Sequence, residues 1–251
     1  MTDAEIRQVF ESHVPGWIAP GERLLLVVPD TTRSAPMARL MGLLLPVLRD
    51  KGCGVTVLVA LGTHPPLSHD ELVKHLGPEC FTDGVRVVNH SWDDPDAVMT
   101  IGRLSADEIS ELSGGLMAED VELRINREIS AADRMIFLHP VFPHELVGFS
   151  GGAKYLFPGI SGPEMIDIVH WLGALLSSGN VIGKIDTPSR RVLDAAAAKM
   201  PLPMHGLSFV YHEGEVVAME AGELQVAWKR AAAESQRRHI TYKPRGFRKL
   251  L

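Results

Sequence analysis

Apolar positions along this chain follow two rhythms. Arg23 to Val28 (RLLLVV) and Val55 to Ala60 (VTVLVA) are continuous apolar runs, the pattern of strands buried on both faces. Between them, positions 37, 40, 41, 44, 45 and 48 are apolar, which is one face of a helix. Pro36 suits the first turn of that helix, and Pro46 is expected to kink or shorten its end. Upstream, Thr2-x-x-Glu5 is a capping box that opens a helix over 3–13, stopped by Pro15 and Gly16. Downstream, Ser68 caps a helix to about Leu76, and Val85 to Asn89 makes a third strand. Strand, loop, helix and strand in that order predict a mostly parallel, Rossmann-like α/β sheet with flanking helices and right-handed crossovers.

The pattern is weaker after residue 90. Residues 91–118 are polar and read as loops, with room for an edge hairpin. Val121 to Ile125 alternates as a strand, Ile129 to Asp133 is a short helical turn, and Arg134 to Leu138 (RMIFL) is another buried strand. A Gly- and Pro-rich stretch, His139 to Pro163, leads into an apolar helix over 163–176. Leu207 to Tyr211 and Val216 to Glu220 flank His212-Glu-Gly-Glu215 as a hairpin, and a last helix spans 223–238. Residues 1–239 are therefore expected to form one domain, and 240–251 a basic tail or linker.

Composition narrows the partners. At 45% hydrophobic and 22% charged, the 251 residues have an ordinary globular balance, which excludes disorder, collagen and coiled coil. The net charge of −6 argues against nucleic acid, and the basic residues cluster late. From Lys229 onward eight Lys/Arg stand against one Glu (+7), while the preceding body holds 17 basic and 30 acidic residues (−13). Cys53 and Cys80 make no disulfide framework and no C-x-x-C, so a reducing compartment is the simplest expectation. The N-terminus lacks the basic start and apolar stretch of a signal peptide, and the longest apolar run falls well short of a membrane span. Together these predict a cytoplasmic protein with no membrane partner.

Three polar loops fall at the carboxyl ends of predicted strands, where open α/β sheets bind ligands. They are Asp30-Thr31-Thr32-Arg33, Gly62-Thr63-His64, and His139 through Lys154. Four glycines within residues 148–159, with a lysine and a proline, suit a backbone that cradles phosphate and an amine that adds charge or a nucleophile. Standard motifs fail. Ala153 and Tyr155 flank Lys154 where a Walker loop needs Gly and Ser/Thr, and no G-x-G-x-x-G follows a strand. Gly148 stands where H-E-x-x-H requires its second histidine after His144-Glu145, and there is no G-x-S-x-G elbow.

The set Asp30-Thr31-Thr32-Arg33, Gly62-Thr63-His64, His144, Gly148-Phe-Ser-Gly-Gly-Ala-Lys154, Pro158-Gly159-Ile160 and His170 resembles the amino-terminal domain of the nickel-pincer lactate racemase family. In that family a pyridinium mononucleotide with sulfur donors is tethered to a lysine and holds nickel together with a histidine. The resemblance implies Lys154 as the tether, His170 as the nickel ligand, His64 and His144 as paired acid/base residues, and Arg33 as the grip on a substrate carboxylate. It also implies Asp30, Thr31, Thr32, Ser150, Gly151 and Gly152 around the cofactor, with cofactor-biosynthesis proteins as partners. The expected reaction is racemisation or epimerisation of a lactate-like 2-hydroxy acid. The alternative is a non-catalytic, cofactor-binding or regulatory homologue. Two departures stand out: Pro65 and Pro66 follow His64 where a basic residue is common, and the family's second α/β domain has no counterpart before Leu251. The chain is then expected to be a fragment, a short homologue completed by a homo-oligomer or a partner chain, or a protein that has lost racemisation.

Taken singly, the same residues have plainer uses. His170 lies among Ile166, Ile168, Val169 and Trp171 and reads as a core histidine, and Lys154 as a solvated loop lysine. Arg33 can pair with Asp30 in its own loop, and Glu145 either orients His144 or is an exposed loop carboxylate. His69, His75, His90 and His139 are read as structural.

Overall fold

The computed structural model describes residues 1–32 and 34–241. In chain order its strands are β1 (Arg23–Pro29), β2 (Gly54–Ala60), β3 (Val85–Asn89), β4 (Val98–Leu104), β5 (Val121–Asn126), β6 (Arg134–Pro140), β7 (Pro143–His144), β8 (Gly148–Phe149), β9 (Met204–His212) and β10 (Glu215–Glu223). The helices are α1 (Asp3–His13), α2 (Met37–Arg49), α3 (His69–Leu76), α4 (Ala106–Ser113), α5 (Pro163–Leu176), α6 (Ser178–Val181), α7 (Pro188–Ala197) and α8 (Leu224–His239). Six strands make one sheet in the order β10-β9-β6-β1-β2-β3. All neighbours run parallel except β10, which returns antiparallel beside β9.

The doubly buried reading of β1 holds residue by residue. Leu24, Leu26 and Val28 join a core with α1, α2 and α3 on one face, while Leu25 and Val27 join a second core with α5 and α7 on the other. Burying each such side chain contributes roughly 1.5–3 kcal/mol. Helix starts follow the local chemistry. Thr2 with Glu5, Ser68 with Glu71 and Ser105 with Glu108 each form a reciprocal capping box.

The structure corrects or completes several of these expectations. Pro46 neither ends nor shortens α2, which continues to Arg49; a proline removes one donor only, and the buried Val47 and Leu48 hold the last turn against the core. Residues 91–118 are more ordered than their polarity suggests. β4 lies there and pairs antiparallel with β5, across α4, as a separate two-stranded sheet. The short turn expected at 129–133 sits slightly earlier, as a 3₁₀ turn over Arg127–Ala131. Residues 177–203, for which the pattern gave nothing, contain α6 and α7. At the far end, Ile240 packs against the cluster of Val141, Phe149, Val210 and Trp228, so it belongs to the domain edge; residues 242–251 of the expected tail lie outside the described residues. No helix among the described residues is long and apolar enough to cross a membrane.

Candidate active site

The chain runs from β1 outward to β2 and β3, then places β6 on the opposite side of β1. That reversal opens a crevice beyond the carboxyl ends of β1 and β6, the usual ligand position in such sheets. A cavity of about 220 Å³ occupies it. The loops after β1, β2 and β6 and one face of α5 supply its walls, including Asp30, Thr32, His64, His144, Lys154 and His170.

The wall from β1 and β2 is short and open. Gly62 turns the chain at φ +55°, a left-handed conformation that suits glycine, and its N–H donates to Gly159 O at 2.9 Å. This sets His64 at the cavity with half of its side chain exposed. Its Nδ1 lies 2.5 Å from Oδ2 of the buried Asp30. The other carboxylate oxygen, Oδ1, accepts Thr32 Oγ1 at 2.7 Å and Thr32 N–H at 3.3 Å. A carboxylate can only accept from a neutral imidazole, so Nδ1 carries the proton and Nε2 keeps its lone pair.

The wall from β6 is closed and densely bonded. His144 is 4% exposed, and its Nδ1 accepts the N–H of Leu146 at 3.2 Å. In the neutral ring the proton then sits on Nε2, the opposite tautomer to His64. Glu145 Oε2 is 3.6 Å from that Nδ1 and its side chain is 61% exposed, so the backbone, not the carboxylate, is the near partner. Lys154 enters the cavity from a 3₁₀ turn over Gly152–Tyr155. Beneath it, His139 is wholly buried and stacks on Tyr155 with ring centres 5.0 Å apart. It accepts the Gly152 N–H, and burial pushes its pKa down to about 3, so it stays neutral.

His170 is exposed on α5 at the cavity edge, which corrects its plainer reading as a core histidine. Its Nδ1 donates to Ile166 O at 2.6 Å, leaving Nε2 with its lone pair. Metal-bound histidines are commonly oriented in this way. Among the described residues no group of three or more His, Cys, Asp or Glu side chains is placed to hold a metal ion. With the Nδ1 of His64 bonded to Asp30 and that of His144 to the Leu146 N–H, His170 Nε2 and the Lys154 amine make a donor pair that suits a group bringing most of its own ligands.

Not every expected residue reaches the cavity. Thr31 is exposed outside its lining. Ser150 lines it, but its hydroxyl donates to Pro140 O and accepts Phe142 N–H, both at 3.1 Å. Gly151 and Gly152 serve close packing: an added Cβ would lie 2.7 Å from the His139 ring at the first and 2.7 Å from the Trp228 ring at the second. Arg33 lies outside the described residues.

Residues 5–183, more than half of the chain, match the model of the lactate racemase N-terminal domain. The protein belongs to the lactate racemase N-terminal domain family. A lactate racemase of Lactiplantibacillus plantarum is 31% identical over 149 residues, which is 59% of this chain and 32% of that protein. The lactate racemase of Thermoanaerobacterium thermosaccharolyticum is 29% identical over 156 residues, 61% of this chain and 33% of that protein. The chain thus spans about a third of the length of the curated relatives it matches. A crystal structure from Thermotoga maritima superposes with a TM-score of 0.84 at 28% identity, over 94% of this chain and 58% of that one. The lactate racemase apoprotein of T. thermosaccharolyticum shares the fold, with a TM-score of 0.77 at 22% identity over 93% and 55% of the two chains.

Three residues around this racemase-family cavity escaped the sequence reading in their structural roles. Asp30 is the partner that orients His64, 34 positions away, a pairing no local spacing announces. Arg190 and Trp228 lie beyond the matched 5–183 and hold the glycine-rich loop from below. An arginine inside an otherwise amphipathic helix and a lone tryptophan gave no signal.

Proposed function

We propose that this chain is the cofactor-bearing part of a racemase or epimerase of 2-hydroxy acids. The observation that carries the reading is the meeting of His64, His144, Lys154 and His170 at one cavity in a lactate racemase-family domain. Lys154 supplies the amine that would tether a nickel-pincer nucleotide, and His170 Nε2 the one protein ligand to its nickel. When bound, that group supplies an electron sink for the Cα hydrogen of the substrate, which a side-chain base cannot remove unaided.

The residues present have work that follows from their own chemistry. His64, with Nδ1–H committed to Asp30, accepts the substrate hydroxyl proton at Nε2. His144, protonated on Nε2, donates a hydrogen bond to an oxygen at the cavity. Passing to the other enantiomer exchanges these tasks, because an imidazole takes or returns a proton near neutral pH. Arg33 keeps its sequence-based role as the carboxylate grip, for which a guanidinium fork is well matched.

The test is co-expression with the cofactor-making proteins, followed by intact mass, metal analysis and chiral chromatography of lactate and related hydroxy acids. The expected result is a covalent adduct on the wild-type chain, absent in Lys154→Ala, and about one nickel per chain that falls at least tenfold in His170→Ala. An unmodified, nickel-free wild-type chain overturns the reading. An adduct without turnover assigns the chain a cofactor-holding role, with the remaining chemistry supplied from outside residues 1–251.

A further inference from the structure

Five consecutive backbone carbonyls of the glycine-rich loop accept hydrogen bonds from one flank. Thr187 Oγ1 donates to Val147 O at 3.4 Å, and Gly183 N–H to Gly148 O at 2.9 Å. Arg190 Nη2 donates to Phe149 O, Trp228 Nε1 to Ser150 O at 2.8 Å, and Arg190 Nη1 to Gly151 O at 3.1 Å. Gly151 O also accepts the backbone N–H of Lys154 at 3.3 Å. A single oxygen atom therefore links the guanidinium to the main chain of the lysine.

Arg190 is a costly choice if packing is its whole task. It is 1% exposed, and among the described residues no carboxylate comes within salt-bridge distance of it. Burial lowers its pKa to about 10, with Asp194 one turn along favouring the charged form, so it remains a cation near neutral pH. Its shape explains the residue type. Two terminal nitrogens reach carbonyls two residues apart, while the planar group lies 4.0 Å from the centre of the Trp228 ring. A lysine ammonium would supply the charge without the fork or the flat face. Gly152, directly under Trp228, completes the seat, since a Cβ there would meet the indole.

We propose that Arg190, seated on Trp228, is a positioning residue that sets how Lys154 enters the cavity. The inference rests on Lys154 being the attachment amine of the proposed function and deepens that reading, with residues beyond the family-matched segment. It is tested on the full chain in two independent arms. The first labels the chain, made without the cofactor-making proteins, with trinitrobenzenesulfonate between pH 7 and 10 and follows each lysine by peptide mass spectrometry. Arg190→Lys retains a cation and loses the fork; Trp228→Phe retains the ring and loses one N–H. In variants shown to be folded by circular dichroism and thermal melting, the Lys154 rate relative to Lys74 and Lys229 should change at least threefold in Arg190→Lys. A smaller change of the same sign is expected in Trp228→Phe. An unaltered Lys154 profile in the folded variants overturns the proposal, and Trp228→Phe decides alone if Arg190→Lys does not fold. In the second arm, co-expression with the cofactor-making proteins should give at least tenfold less Lys154 adduct in Arg190→Lys than in wild type. A wild-type chain without adduct refutes the attachment role of Lys154, while the labelling arm still judges the clamp.

Discussion

His64 and His144 look onto one cavity from walls of opposite construction. The β1–β2 wall holds its histidine by a single carboxylate and leaves half the side chain in solvent. The β6 wall buries its histidine and bonds the surrounding loop through backbone, arginine and indole. One site thus combines an imidazole that can adjust with one that is fixed, and their resting tautomers differ because one neighbour accepts and the other donates. If the proposed racemisation holds, chemistry that must run alike on two mirror-image substrates would be served by two side chains held in unlike ways.

Glycine substitutions separate the walls most sharply. Gly148→Ala would put a Cβ 1.9 Å from Lys184 O at φ +85°, and a loss of about 4 kcal/mol or more is expected in urea denaturation. Asp30→Asn should leave the fold intact and lower kcat/KM of the loaded, active assembly by about 10²-fold, or about 2.7 kcal/mol. Both directions should fall equally in chiral assays, because enantiomers have an equilibrium constant of one. A loss under threefold would remove Asp30 from any role in orienting His64. Gly62→Ala, in the open wall with its nearest neighbour 3.9 Å away, should cost only about 1 kcal/mol for its φ of +55°. If it costs as much as Gly148→Ala, the contrast between the walls is wrong.

The smallest expected effect is a pH dependence from a histidine that does not line the cavity. His90 is buried between Asn126 and Ser161, and burial lowers its pKa from 6.5 to about 4. The unfolded chain therefore binds this proton first as pH falls. The stabilisation is full above about pH 6.5 and is lost progressively toward pH 4. On the order of 1 kcal/mol should disappear between roughly pH 7 and pH 5.5, and His90→Gln should flatten that slope in thermal melts.

The sheet was legible in the sequence because β1, β2 and β6 are buried on both faces and leave unbroken apolar runs. β4 was not, since a register shift between Thr100 and Gly102 breaks its alternation. α7 was hidden by its own chemistry, with Ser189 and Arg190 occupying buried positions where a helix pattern expects aliphatic residues. At the site, glycine-rich loops and histidines at strand ends were visible as local clusters. The Asp30–His64 and Arg190–Gly151 bonds join positions far apart in the chain, and only folding reveals them.

The carbonyl-bonded loop bears on how a ligand is captured. With five successive oxygens engaged before anything arrives, the segment has few other shapes to adopt, so the entropy of ordering it is spent during folding rather than at the moment of association. A molecule reaching Lys154 meets a finished surface, and its affinity reports contacts made rather than a loop put in order.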